Sequence, residues 1–233
     1  MKKTHLLPLS FLSAIAMFLS LSSASASLLA PGTVLPPDIF APLPGATLLA
    51  SLNSGPVTST NGSVTFDLVT AVYADPTNPF GAGDLDFVYQ VQNFAVSPDA
   101  IARLTAINFT GFQTDVGFTA IGSAIPGGLF VDGTQAPQLV GRALSGDVTS
   151  FIYEGLAPST FVPGSISTAL IIETNATMFA PGKFNVIDGG VSTVDAFQPL
   201  AAVPDSGTTA TLLGLGVIGL CAAYRALGSG SVA

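Results

Sequence analysis

Oxygen-bearing side chains concentrate in one short stretch of the chain, DPTNPFGAGDLD, which contributes Asp75, Asn78, Asp84 and Asp86. Carboxylate and amide oxygens are the hard ligands that Ca²⁺ prefers in proteins. The regular Asp-x-Asp-x-Asp-Gly order of calcium loops is missing, and Asp and Asn side chains also form local hydrogen bonds in ordinary turns. The stretch therefore predicts either a calcium site made by these four residues or a structural loop between two strands.

Paired carboxylates suggest a second kind of chemistry, because glycosidases use two Asp or Glu residues as acid and base. Asp84 with Asp86, or Glu154 with Glu173, would supply such a pair. The chain has no Trp and only 4 Tyr from which to build a sugar-binding cleft. We therefore expect these carboxylates to lie on solvated strand faces.

The scarcity of other reactive side chains excludes several classes of enzyme. The one His is His5 and the one Cys is Cys221, and both lie in terminal segments. A body without them has no disulfide framework, no usual ligands for zinc or haem, and no Ser-His-Asp or Cys-His machinery. We expect a non-enzymatic body with no cofactor other than the candidate Ca²⁺.

The charge balance restricts the partners. The formal net charge is −8 at pH 7, and Arg103, Arg142 and Lys183 are the only basic residues between positions 27 and 202. A surface of this sign repels phosphate backbones, which excludes nucleic acid as a partner. It is compatible with a hydrated extracellular polysaccharide.

The N-terminus has the pattern of a secretory signal peptide over residues 1–26. Lys2 and Lys3 precede a short apolar stretch, and Ala24-Ser25-Ala26 supplies the small-x-small pattern that signal peptidase accepts. We expect cleavage after Ala26, which makes Ser27 the first residue of the exported chain.

The C-terminus, residues 203–233, has three parts. Val203-Pro204-Asp205-Ser206-Gly207 precedes an apolar segment at about residues 208–227 that carries one charge, Arg225. A segment of about 20 apolar residues is long enough to cross a membrane as a helix, with Arg225 as a stop on the cytoplasmic side. Pro204 and Gly207 predict an extended or turned, accessible strip at the membrane surface.

This order of VPDSG, apolar segment and Arg resembles the C-terminal sorting domain of the PEP-CTERM class, in its VPDSG-CTERM variant. The resemblance implies recognition by an exosortase, a membrane-embedded enzyme similar to a transpeptidase, and cleavage near the motif that releases or attaches the body. It also implies a single-pass membrane intermediate, followed by location in the cell envelope, at the outer surface or outside the cell. The family usually ends in a cluster of basic residues, whereas this chain has only Arg225 and a neutral tail.

The body, residues 27–202, has the pattern of an all-β domain. Leu85, Phe87, Tyr89 and Val91 alternate with polar residues, which predicts a half-buried strand. Further strands are predicted over 63–73, 103–110, 150–154, 167–174 and 183–187, with 169–172 central because it is apolar on both faces. Turns are predicted at Pro126-Gly127-Gly128, Asp132-Gly133, Pro163-Gly164, Pro181-Gly182 and Asp188-Gly189-Gly190.

Short strands separated by such turns predict an antiparallel β-sandwich of jelly-roll type, with a loosely attached lead-in over 28–50. The function expected from the whole pattern is a structural or interaction protein of the cell envelope, associated with extracellular polysaccharide. A calcium-assisted carbohydrate-binding module on the same sandwich is the alternative.

Overall fold

The computed structural model describes residues 27–154 and 161–201, which contain two β-sheets and one 3₁₀ turn at Gly122–Ala124. The strands in chain order are β1 Val34–Leu35, β2 Asp38–Ile39, β3 Thr47–Asn53, β4 Val57–Thr58, β5 Thr65–Ala74, β6 Leu85–Asn93, β7 Arg103–Ala106, β8 Thr114–Thr119, β9 Leu139–Arg142, β10 Thr149–Ile152, β11 Ala169–Thr174, β12 Met178–Ile187 and β13 Val191–Leu200.

Some predicted features lie outside the described residues. These are Ala24 and Ala26 of the signal peptide, the motif from Val203 to Gly207, the apolar segment 208–227 and Arg225. Across 27–154 and 161–201 no helix has the length and apolar character needed to span a membrane.

The two sheets confirm the predicted all-β sandwich. The first sheet has the order β2-β8-β11-β6-β5-β3, with β4 also pairing with β5, and the second has the order β1-β9-β10-β7-β12-β13. The pairing of β2 with β8 is parallel, and the other pairings between the described strands are antiparallel. β11 is central in its sheet and buried throughout, as its apolar sequence predicts.

The main core lies between the sheets and follows from the alternation of side chains along each strand. Phe87 and Tyr89 of β6 and Ile172 of β11 point inward from the first sheet, and Phe151 and Phe184 from the second. Tyr89 stacks on Phe184 with ring centroids 4.7 Å apart, which joins the sheets at the centre. Burying each such side chain contributes about 1.5–3 kcal/mol.

A second core covers the outer face of the first sheet. Tyr73, Val88 and Ile171 point outward and are buried beneath Leu43 and Phe130, which come from loops that fold over the sheet. Both faces of the first sheet are therefore covered. As a result, polar side chains that alternate along its strands with the inward-facing core residues are buried as well.

The expectation of solvated strand faces is therefore wrong for two carboxylates. Asp86 is 0% exposed and Glu173 is 8% exposed. Asp84, which precedes β6, is half-buried, and Glu154 is exposed. The alternation identified the outward-facing residues, but loops distant in sequence determine whether that face meets water.

The turn predicted at Pro181-Gly182 is also wrong, since both residues lie inside β12 and pair with Phe197 and Ala196 of β13. β7 pairs with β12 only from Phe184 onward. The start of β12 is therefore an edge, where a strand tolerates a proline that has no N–H to donate.

The lead-in before β3 is anchored and not loose. The side chain of Leu29 is 1% exposed, and its backbone N–H donates to the carbonyl of Thr114 over 2.8 Å. The buried guanidinium of Arg142 donates to the carbonyl oxygen of Leu29 and to those of three loop residues, Phe109, Phe112 and Gly146. Arg142 therefore fastens the lead-in to the domain.

The parallel pairing of β2 with β8 requires a glycine at position 117, because a residue with a Cβ does not fit there. A Cβ at this position would lie 2.2 Å from the carbonyl oxygen of Asp38 and 2.9 Å from the ring of Phe40. We predict that Gly117→Ala lowers the free energy of unfolding by about 1–3 kcal/mol, because β2 must move away. Chemical denaturation measures the change.

Gly141→Ala in β9 is the matched control, because its Cβ would come no closer than 3.3 Å to a side-chain atom. Equal stability of the two variants would contradict the close approach of β2 to β8.

Candidate cation site

A row of acidic side chains crosses the outer face of the first sheet. Glu173 of β11 lies directly opposite Asp86 of β6 on one side and Asp115 of β8 on the other. Side chains at directly opposed positions have Cβ atoms about 4.5–5.5 Å apart, and like charges placed there repel. The register of three strands therefore forces three carboxylates together.

The row extends at both ends. Asp75 follows β5, where its N–H donates to the carbonyl of Asp84 over 3.1 Å. At the other end Asp38 of β2 lies beside β8, opposite Gly117. We refer to Asp38, Asp115, Glu173, Asp86 and Asp75 as the carboxylate row.

The residues at one end of the row form a compact group. One carboxylate oxygen from each of Asp75, Asp86 and Glu173 lies within 4.8 Å of the others, and all three residues are buried. We refer to these three residues as the acidic triad.

The loop from Asp75 to Asp84 holds the triad in shape. The N–H and Oγ1 of Thr77 both donate to Oδ1 of Asp75 at 2.8 Å. The Nδ2 of Asn78 donates to Oδ1 of Asp86 at 2.8 Å and to the carbonyl of Thr174 at 3.1 Å. The Oδ1 of Asn78 accepts from the N–H of Phe80 at 2.9 Å. Asn78 therefore acts as a hydrogen-bond donor to the triad, and its oxygen is engaged within the loop.

Comparison with the predicted calcium ligands shows which residues the fold brings together. Asp75 and Asp86 are in the triad, and Asn78 contacts it. Asp84 is not a member, and Glu173 completes the group. From the sequence alone, Glu173 was a candidate only for an acid–base pair with Glu154, because it is distant from the 75–86 stretch and only the register of β11 with β6 brings it here. Calcium binding itself stays a prediction.

Burial and mutual repulsion raise the pKa values of three members of the row, Asp86, Glu173 and Asp115. Desolvation, followed by the charges of Glu173 and Asp75, raises the pKa of Asp86 to about 9, although the hydrogen bond from Asn78 acts in the opposite direction. Burial, and then Asp115 and Asp75, raises the pKa of Glu173 to about 8. Burial, and then Asp38, raises the pKa of Asp115 to about 7.

Two oxygens of the row are left without a partner. Asp86 Oδ2 and Asp115 Oδ1 are buried and accept no hydrogen bond. The ion pair found in the described part of the chain, Lys183 with Asp195, is exposed and lies in the second sheet. Within residues 27–154 and 161–201, therefore, no basic side chain forms an ion pair with the row, which must hold protons or gather a cation.

The donor set of the triad suits a hard cation. Carboxylate oxygens are the ligands of Ca²⁺ and Mg²⁺, and Ca²⁺ accepts irregular arrangements because its coordination is flexible. The alternative acid–base pair of Glu154 and Glu173 is less favoured by the geometry. Glu173 points away from the second sheet, whereas Glu154 follows β10 in that sheet and is exposed. The first sheet therefore lies between them.

Comparison with known families identifies a motif at the C-terminus of the chain, after the β-sandwich. Residues 202–225 match the family described as the VPDSG-CTERM motif. The chain thus carries a VPDSG-CTERM sorting motif, as the sequence resemblance indicated, and the motif supports a C-terminal sorting signal on an exported protein. It implies processing by an exosortase-type system and association with the cell envelope. No curated protein and no solved structure matches the chain.

The raised pKa values predict that the free energy of unfolding falls as the pH rises, whereas carboxylates with lowered pKa values would make it rise. The folded protein holds protons on Asp86, Glu173 and Asp115 that the unfolded chain releases near pH 4, so this stabilisation is complete at low pH. It is lost as the pH rises through the folded pKa values of about 7 to 9. Without divalent cations, we predict that the free energy of unfolding falls by about 2 kcal/mol or more between about pH 5 and pH 9.

Urea denaturation in the presence of a chelator measures this change. The Asp86→Asn variant is the control, because an amide mimics the protonated acid, and its stability should decline less. A free energy of unfolding that stays level or rises over the same pH range would contradict the desolvated row.

Proposed function

We propose that the protein is a non-enzymatic component of the cell envelope, delivered by its two terminal signals and associated with extracellular polysaccharide. The observation that carries the proposal is the VPDSG-CTERM motif at residues 202–225, which follows directly after the last described strand. Signal peptidase removes residues 1–26, and the apolar segment 208–227 holds the chain in the membrane. An exosortase then acts at Val203 to Gly207.

The chemistry of the body supports a structural role over catalysis. His5 and Cys221 fall outside residues 27–202, so the exported body contains neither of the side chains most used for nucleophilic and acid–base catalysis. The clustered carboxylates of the acidic triad are buried and close to one another, with Asp86 fully buried. Such groups do not contact a substrate at the surface.

A change in the sorting motif tests this delivery. We predict that Gly207→Ala, expressed in the native host, reduces processing and leaves most of the chain at its unprocessed mass, because the strip beside the membrane loses its flexible residue. Gly228→Ala, beyond the matched motif, is the control and should be processed normally. Fractionation, with mass spectrometry of the mature C-terminus, provides the measurement.

An unprocessed wild-type chain that remains in the cytosol would contradict the proposal. A mature protein with its last residue near position 207 would support cleavage at the motif. The same spectrum distinguishes a released body from one that carries an added group.

The acidic triad favours a second candidate function, a calcium-assisted carbohydrate-binding module. Its residues are buried, so a bound Ca²⁺ would further stabilise the 75–84 loop and would not touch the sugar directly. A shallow cavity of about 250 Å³ lies elsewhere, lined by Thr60, Asn61, Gly190, Val191 and Ser192. None of these five is aromatic, so this cavity lacks a ring on which a sugar could stack.

Calcium titration of residues 27–233 in detergent, the chain without its signal peptide, tests this candidate. We predict that saturating Ca²⁺ raises the unfolding temperature by roughly 5 °C or more, because binding to the folded state alone stabilises it. Glu173→Gln should abolish the shift, since it removes a triad carboxylate.

Glu154→Gln removes an exposed carboxylate of the same type and should leave the shift intact. Calorimetry of the wild-type chain gives an independent readout. An unchanged unfolding temperature with no heat of binding would eliminate the calcium-assisted module and leave the structural role standing.

A further inference from the structure

The first residue that we expect to remain after export contacts the carboxylate row. The backbone N–H of Ser27 donates to Oδ2 of Asp115 over 3.0 Å. Leu28 forms an antiparallel bridge with Asp115, and Leu29 is buried in the core. Residues 27–29 therefore lie along the start of β8, on the edge that β2 joins further on at Gly117 and Phe118, and the position of the Ser27 nitrogen is fixed.

The surroundings of this nitrogen suit a positive charge. Asp115 is 2% exposed, and its second oxygen, Oδ1, accepts no hydrogen bond. Asp38 lies beside Asp115, and Glu173 lies directly opposite it. A single neutral N–H in the precursor thus faces a carboxylate that still lacks a donor for one oxygen and a cation for its charge.

We propose that Asp115 and Asp38 form a binding site for the chain's own α-ammonium group, created when the peptide bond between Ala26 and Ser27 is hydrolysed. This inference rests on the proposed export. In the cleavage step water gives its hydroxyl group to the carbonyl carbon of Ala26 and a proton to the nitrogen of Ser27. The resulting amine takes up one further proton from solvent.

The ammonium group matches the site better than the amide it replaces. It has three N–H donors in place of one, so it can serve both oxygens of Asp115 and a carboxylate oxygen of Asp38. Hydrogen bonds between charged groups are shorter and about twice as strong as neutral ones. The new charge also offsets the repulsion between Asp115 and Glu173 across β8 and β11.

The consequence is a coupling between processing and folding. The precursor fixes Ser27 with one amide hydrogen bond, whereas the mature chain fixes it with an ion pair to a buried acid. The edge of β8 and the Arg142-bound lead-in are therefore most stable only after the signal peptide is removed. This site differs from the acidic triad in its ligands, although Glu173 of the triad lies directly opposite Asp115.

Two forms of the chain without its signal peptide, both ending at residue 233 and kept in detergent, test the proposal. One begins at Ser27, and the other retains Ala26 in front of it. Both have the same net charge, but in the second form the Ser27 nitrogen is a peptide amide and the ammonium is one residue away from Asp115. We expect the Ser27 form to unfold at a temperature higher by roughly 3–10 °C.

Asp115→Asn should remove the difference between the two forms. Asp195→Asn, which removes an exposed carboxylate on the second sheet, should leave the difference unchanged. Equal unfolding temperatures of the wild-type forms, or a difference that persists in Asp115→Asn, would overturn the proposal.

Acylation of the α-amine by an activated ester provides a second measurement, which decides the matter even if Asp115→Asn does not fold. The Ser27 form should react more slowly than the Ala26 form, because its ammonium is held by two carboxylates. Equal rates would overturn the proposal. N-terminal sequencing of the protein from its host tests the export step separately, since a different first residue would refute cleavage after Ala26 without altering the recombinant comparison.

Discussion

Repulsion between desolvated carboxylates is the constraint on which this structure depends. Strand register places Asp115, Glu173 and Asp86 directly opposite one another, and the fold then covers them. Burying unpaired charges is expensive, so such groups stay protonated or acquire a cation. The packing that holds them comes from the two cores on either side of the first sheet. Those cores must outweigh the repulsion, and any cation that reaches the row adds to the stability of the whole domain.

The positions of Arg142 and Lys183 explain why the carboxylate row has no basic side chain as a partner. Arg142 is buried but donates to backbone carbonyls and to the hydroxyl of Thr114, so its role is to fasten loops. Lys183 pairs with Asp195 at the surface of the second sheet. Neither contacts the row in the described part of the chain. The charges proposed to complete it are a metal ion at the triad and the α-ammonium group at Asp115.

The elements that could be predicted from the sequence are those whose pattern is local. Alternation identified β6, and the apolar run Ala169–Ile172 identified the centre of β11. β8 escaped detection because Gly117 and Asp115 weaken its pattern, yet Gly117 is what allows β2 to approach. Part of the candidate site could be predicted from the sequence, because Asp75, Asn78 and Asp86 lie close together in the chain, in one loop and the strand after it. Glu173 and Asp115 were not, because only the pairing of β11 with its two neighbours brings them to Asp86.

Infrared spectroscopy of the chain without its signal peptide tests the buried row most directly, because a protonated carboxylic acid has a carbonyl band distinct from that of a carboxylate. In metal-free buffer at about pH 6, well above the ordinary pKa of Asp and Glu, the wild-type chain should show this acid band. The band should weaken when Ca²⁺ is added and should be reduced in Asp86→Asn. A spectrum of fully ionised carboxylates that Ca²⁺ does not change would contradict the account.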